Sequence, residues 1–545
     1  MIMSDTYSGE NTYIYSSRIL NFKGISSVSK LLTSSNIFLM SLDSHNVLSY
    51  RNGGKLAQKT LDVQMALNEQ GMKISNHIEF IESNTSHIYR YALMIAFNLF
   101  LSEKRLFNVS YSFPLPKIRL FMHPVSIATE TCDDSELYLP IVSIYDDGTI
   151  QLSFKSVTGF HYLSDKSLMR NIINKSQLNI TSFLCCKDLL LASIAHELSK
   201  ETLPTKFINR FAFNQIMESS IKKPHQIEFG EEKLNLFELI QTNPITITDI
   251  ARNLLSLLAS SIVQGNTTLA FKWFQNSVQD QHLGYYWCAK PVIFIDTHSR
   301  QMNIASENWS THKYFVDSVM SRVIQNSPNP EQLRKINDIR SLNDYNHFYS
   351  DAISLVLMSK DASNNLTIQD SYTFENVISD ALTLNEIGEY IKIYYCYAEQ
   401  RIERCRNTIE IVQEELSLIT FESSLMSTQK YGEIAAFIQC VKCGDFVMNS
   451  IKNVERKLEG VRKSLELNEK ISSEIDSKRI TIFFGVLASA SLSPEIVQPA
   501  LQAMNLAPKE SGTLKIIGFL ISIVFVCFCL PLTKFIWRHH PKNKN

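Results

Sequence analysis

Proline places the tightest limit on what this chain can fold into. Ten of its fifteen prolines fall between Pro114 and Pro330, none precedes Pro114, and none lies between Pro330 and Pro494. A proline inside a helix removes a backbone donor and clashes with the preceding turn, so the long proline-free stretch from 331 to 493 permits long unbroken helices. The chain therefore divides into a mixed body and a helical part that ends in apolar runs.

In the body, "IYRYALMIAFNLFLSE" (Ile88–Glu103) predicts a buried helix. "KIRLFMHPVSIATE", "LYLPIVSIY", "TIQLSFKSV" and "PVIFIDTHS" predict strands, with Asp146-Asp147-Gly148 as a hairpin turn between the second and third. Helical stretches are expected around "FLCCKDLLLASIAHELSK" and "DIARNLLSLLASSIV". The expected fold class is an α+β or α/β cytoplasmic domain (1–380), followed by long coiled-coil-like helices and two C-terminal transmembrane helices.

Ile391, Tyr395, Ala398, Ile402, Cys405, Ile409, Val412, Leu416 and Ile419 alternate in steps of four and three, the spacing of a continuous heptad seam. "STQKYGE" (Ser427–Glu433) is a turn candidate. A second seam follows through Val447, Ile451, Val454, Leu458, Val461, Leu465, the polar Asn468 and Ile475. Over 381–479 this predicts a helical hairpin or stalk, open to two uses: stabilising one chain or joining several. No breaker separates it from Ser477-Lys478-Arg479 and "ITIFFGVLASASLS", the pattern of a helix entering a bilayer past basic residues.

The final apolar run, Ile516 to Thr533, has 18 residues bracketed by Lys515 and Lys534. At 1.5 Å per residue it covers roughly 27 Å, near the hydrocarbon thickness. The earlier run, Ile480 to Pro494, is shorter. Thr481, Gly485, Ser489 and Ser493 repeat every fourth residue and give it a small-residue face for close helix packing or pore lining. Lys534, Arg538, Lys542 and Lys544 place the C-terminus in the cytoplasm. "MIMSDTYSGENTYIYSSRIL" has no basic region ahead of an apolar core, so no export signal is expected for the body. Two spans (480–503 and 516–534), an outer loop (504–515) and a basic tail (535–545) reconcile these features, with both termini cytoplasmic. A single tail anchor is the other reading.

This layout resembles the CorA-type divalent-cation channel superfamily, in which a cytoplasmic α/β domain leads through long helices to two spans and a basic tail. The family's Gly-Met-Asn tripeptide ends the first span. Here the matching position is Ala503-Met504-Asn505, so alanine replaces the glycine. The resemblance implies passive flow of a divalent, Mg²⁺-like cation through a homo-oligomeric pore in the cell (inner or plasma) membrane. Asn505 amides would ring the entrance and meet a hydrated ion that gives up its waters reluctantly. No cofactor is implied beyond a transported or regulatory divalent cation. The second expectation is a membrane-anchored sensor or effector of stress or phage-defence type, whose cytoplasmic domain triggers or scaffolds a membrane response without selective transport.

Other chemistry is thinly marked. A formal charge of −1 supplies no concentrated basic face for nucleic acid. Glu495 is the one acidic residue in a potential span, and so a candidate intramembrane carboxylate. Cys440-Val-Lys-Cys443 has zinc-like spacing without a second ligand pair, and Cys185-Cys186 is expected in the core. His196-Glu197 lacks the second histidine of a zinc-protease helix, while Asp296-Thr-His298 could hold a metal or act as a base. No phosphate loop or nucleophile elbow is present, so no enzyme is expected.

Overall fold

A computed structural model describes residues 5–25, 28, 35–52, 55–61, 63–68, 71–76, 86–106, 117–199, 221, 223–239, 245–264, 282–284, 289–324, 336–340, 344–366, 374–428, 432–492, 498–504, 515–522 and 524. Within these, side chains at 51–56, 63–68, 71–76, 132–134, 195–199, 264, 365–366, 427–428, 486, 489–490, 492 and 502 are not described. The chain divides into two compact units, Met1–Arg401 with Glu414–Glu455, and Ile402–Gln413 with Arg456–Asn545.

The strands are β1 (Thr6–Arg18), β2 (Phe38–Leu42), β3 (Val47–Asn52), β4 (Lys55–Thr60), β5 (Val63–Asn68), β6 (Gly71–Asn76), β7 (Lys117–Met122), β8 (Val125–Thr129) and β9 (Cys132–Tyr145). They continue as β10 (Thr149–Ser156), β11 (Phe160–Ser164), β12 (Ile180–Cys185), β13 (His225–Phe229), β14 (Glu232–Glu238), β15 (Lys290–His298), β16 (Asn337–Asp338), β17 (Tyr345–Tyr349) and β18 (Ser354–Met358). The helices of the body are α1 (His87–Leu106), α2 (Asp165–Leu168), α3 (Lys187–Ser199), α4 (Ile247–Gln264), α5 (Ala305–Ser321) and α6 (Lys360–Leu366). The helical part comprises α7 (Phe374–Arg404), α8 (Thr408–Thr428), α9 (Gly432–Cys443), α10 (Asp445–Leu492) and α11 (Gln498–Ala503).

One 16-stranded sheet runs β13-β14-β12-β8-β9-β10-β1-β15-β18-β17-β16, with β11, β2, β3, β4 and β7 paired off this path. The β15–β18 pair is parallel. Gly148, at φ 88°, closes the expected β9–β10 hairpin. The expected strand "KIRLFMHPVSIATE" is two strands, β7 and β8, separated at His123-Pro124. Pro140 lies inside β9, which is tolerable because one edge of β9 changes partner there. That edge pairs with β8 up to Tyr138 and with β7 from Ile141, so the missing N–H falls in the gap. The stretch expected as a helix from "FLCC" begins instead as β12 and becomes helical only at Lys187.

The sheet has two unlike faces. Tyr13, Tyr15, Ile150, Leu152 and Phe154 pack with α3 and α4 in one apolar core. Alternate residues of the same strands, among them Ser16, Gln151, Ser153 and Lys155, turn to the face that α7 covers and are buried.

In the helical part the first expected seam is interrupted. The Asn407 side chain accepts from the Glu410 amide at 2.8 Å, while Glu410 accepts from the Arg406 amide at 2.7 Å. This reciprocal cap ends one helix and starts another. α8 then runs back along α7, with Arg401 donating to Glu414 at 2.8 Å and Tyr395 to Glu422 at 3.0 Å. The turn reverses which face is buried. Ile411, Leu418, Phe421 and Leu425 are enclosed, whereas Ile409, Val412, Leu416 and Ile419 are exposed. The second seam lies on α10, with Val447 and Val454 buried, Leu458, Val461 and Leu465 half-buried, and Asn468 and Ile475 exposed.

Candidate functional site

Two regions carry candidate chemistry. The first is the apolar C-terminal part. α10 is a single helix of 48 residues that holds Thr481, Gly485 and the backbone of Ser489. Thr481 donates its hydroxyl to the Ser477 carbonyl at 2.7 Å, which satisfies it within its own helix. Ile480, Ile482, Phe483, Phe484 and Leu487 are exposed. Ser493, Glu495 and Asn505 lie outside the described residues. Ala503 ends α11, and Met504 follows at 68% exposure, its amide donating to Ala500 O at 3.1 Å. Residues 515–522 are helical, with Ile516 and Leu520 exposed.

Among the described residues no single helix is long and apolar enough to cross a membrane. One pair, α9 with Asp445–Gly485, meets the length and composition of a span but bends by 62°. The apolar face of α9 is otherwise engaged: Ile434, Phe437, Ile438 and Val441 are buried, and Phe437 meets Tyr349 edge-on at 4.7 Å. The apolar tract of α10 from Ile480 to Leu492 has 13 residues, about 20 Å of helix and short of a full span.

The second region is a charged layer between α7 and the sheet. Successive turns of α7 present Glu375, Ser379, Asp380, Thr383, Glu386 and Glu389 toward it. Lys155 lies 2.5 Å from Glu10 and 3.9 Å from Glu375. Arg119 donates to Glu386 at 2.5 Å and pairs with Glu103 at 2.9 Å, while Lys117 lies 2.7 Å from Glu103. Gln151 donates to the Glu386 carbonyl at 2.7 Å, and Ser102 and Arg105 both donate to Asp380. Burial alone would push Arg119 and Lys155 down, but their carboxylate partners outweigh it and hold both above their ordinary values. Glu103 shows the mirror case, with burial opposed and overcome by Lys117 and Arg119, so it sits below the usual range.

Lys290 and Lys392 share Glu389. Lys392 donates to it at 2.9 Å, whereas Lys290 lies 3.6 Å away with its ammonium 3.5 Å over the Tyr349 ring. Burial, and then repulsion from Lys392, push Lys290 well below an ordinary lysine. Such a group is a functional candidate wherever substrate can reach it, but Lys290 is fully enclosed. Its chemistry here is structural.

At the end of β15, His298 meets His312 edge-to-face at 4.5 Å. Burial, and then His312, push His298 down to about 3. Asp296 and His298 do not converge on a metal centre. Among the described residues no group of three or more His, Cys, Asp or Glu side chains could hold a metal ion. That statement also covers Cys440, which accepts from Asn337 at 3.8 Å, and Cys443, which is exposed. Cys185 is buried as expected, and the side chains of His196 and Glu197 are among those not described.

The charged layer has a legible signature that no single motif announces. Lys117-x-Arg119 and Gln151-x-Ser153-x-Lys155 alternate at strand spacing, and the acids of α7 recur at helical spacing. Neither pattern names its partner, so the layer emerges only when the two are brought together.

No protein family, curated protein or solved structure matches the chain.

Proposed function

We propose that the chain is a two-span membrane protein of CorA-like layout that conducts divalent cations passively through a homo-oligomeric pore, with both termini in the cytoplasm. One observation carries the reading: α10 changes from charged to apolar at Arg479 within one continuous helix, and its large apolar side chains there are exposed. Five such residues within eight positions are unfavourable in water and favourable in lipid. The remaining length of a first span would come from α11 and the residues before it, and the second from Ile516–Thr533. In this reading Thr481, Gly485, Ser489 and Ser493 line or pack the pore. Ala503, Met504 and Asn505 form its outer mouth, and Glu495 lies between.

The test is flux of Mg²⁺, Co²⁺ or Ni²⁺ into vesicles holding the purified full chain. Uptake above empty vesicles, reduced severalfold by Asn505→Ala, is expected. Uptake equal to empty vesicles overturns conduction. Triggered depolarisation without ion selectivity would instead favour a membrane-anchored sensor or effector. The size of the sheet-bearing unit, far larger than two spans need for anchoring, is the observation on that side.

A further inference from the structure

The two halves of the first heptad seam are placed differently. On α7, Ile391, Tyr395, Ala398 and Ile402 are buried, whereas on α8 the same repeat faces outward. Ile409, Val412, Leu416, Ile419 and Met426 are between 43% and 71% exposed, and the exposed Ser423 fills the remaining position of the three-four spacing. The opposite side of α8 is already in use. There Ile411, Leu418, Phe421 and Leu425 are enclosed, and Phe421 stacks on Tyr394 at 3.7 Å. A surface helix needs one apolar stripe, and a helix that is apolar on further sides is one whose further sides are buried too.

Whatever covers the second side of α8 has to match its repeat and its charge. Ile409, Leu416 and Ser423 form one column, and Val412, Ile419 and Met426 the other, each recurring every seven residues. Such a surface is filled by a second helix of the same repeat, knobs into holes. α8 contains Glu410, Glu414, Glu415 and Glu422 and no lysine or arginine. Helices that lie on anionic lipid carry basic flanks, and nucleic acid needs a basic face, so neither fits. A second copy of α8 does fit. In a parallel pair the acids beside the seam, Glu415 and Glu422, stand opposite Thr420 and position 427, a serine, so no like charges meet. An antiparallel pair would set Glu415 against Glu422 twice.

We propose that α8 pairs in parallel with α8 of a second copy of this chain through Ile409, Val412, Leu416, Ile419 and Met426. This rests on the homo-oligomeric reading above, which requires copies to meet, and it names the surface on which they meet.

A photoreactive phenylalanine in place of Ile419, and separately of Ile409, tests the contact in the full chain in vesicles. Both positions are exposed, so the fold tolerates the probe. The expected product is two chains joined, with attachment from position 419 mapping to 415–423 of the second chain and attachment from 409 mapping near Val412. No adduct between chains, or attachment to another element, overturns the proposal. Attachment from 409 near Met426 also overturns it, since that is the antiparallel register. Leu416→Glu should reduce the adduct from position 419 severalfold with circular dichroism unchanged, and an undiminished adduct counts against the seam. If Leu416→Glu does not fold, Leu416→Gln takes its place. An adduct without Mg²⁺ flux supports this interface and overturns conduction, whereas flux without an adduct overturns this interface alone.

Discussion

Arg119 is 2% exposed and answers two carboxylates, Glu386 and Glu103. Arg119→Met leaves Glu386 buried with only Lys117 near it. Removing one member of such a buried set costs about 3–5 kcal/mol, so denaturant unfolding in detergent should show a loss in that range. A loss below about 1 kcal/mol would mean that the layer is more hydrated or more yielding than its geometry implies. His298 gives a prediction of opposite chemistry. Its folded value near 3 lies below the ordinary 6.5, so the fold favours the neutral ring. Its contribution is fully present above pH 6.5 and falls away as the pH drops toward 3. The groups facing it are His312, Asp5 and Arg300. Tm should therefore decline between about pH 7 and 5 more steeply in the wild type than in His298→Asn, and parallel curves would contradict this.

Among the elements, the α7–α8 junction shows how far sequence periodicity can be trusted. The heptad spacing is real, but a seam reports only that apolar residues share a face, not that the helix continues. Asn407 and Glu410 lie three residues apart, the spacing of a reciprocal cap, and that short-range signal outranks the long-range one. Asn407→Ala should cost about 1 kcal/mol, read as a lower denaturation midpoint, and no change would show the cap to be incidental. Ile88–Glu103, the β9–β10 hairpin and the strand at Pro291 are legible in the sequence because period, turn chemistry and burial agree there. "FLCC" reads as helix although it ends a strand, because a short apolar run has no decisive period. The α7 partners of Lys117, Arg119 and Lys155 are not legible at all. They sit some 220 to 270 positions away on α7, and sequence pattern carries no information about which faces meet.

For the whole molecule, the central claim is that the apolar C-terminal part crosses the membrane twice. The change in α10 at Arg479, the apolar run from Ile516 and the basic residues from Lys534 onward all bear on it, and Ala503 in place of glycine bears only on the proposed conduction. Compartment reporters measure the claim most directly, one fused after Asn545 and one inserted near Lys509 of the full chain. Two spans predict a cytoplasmic signal from the first and an external signal from the second. Cytoplasmic signals from both would contradict the first span, and the channel reading with it.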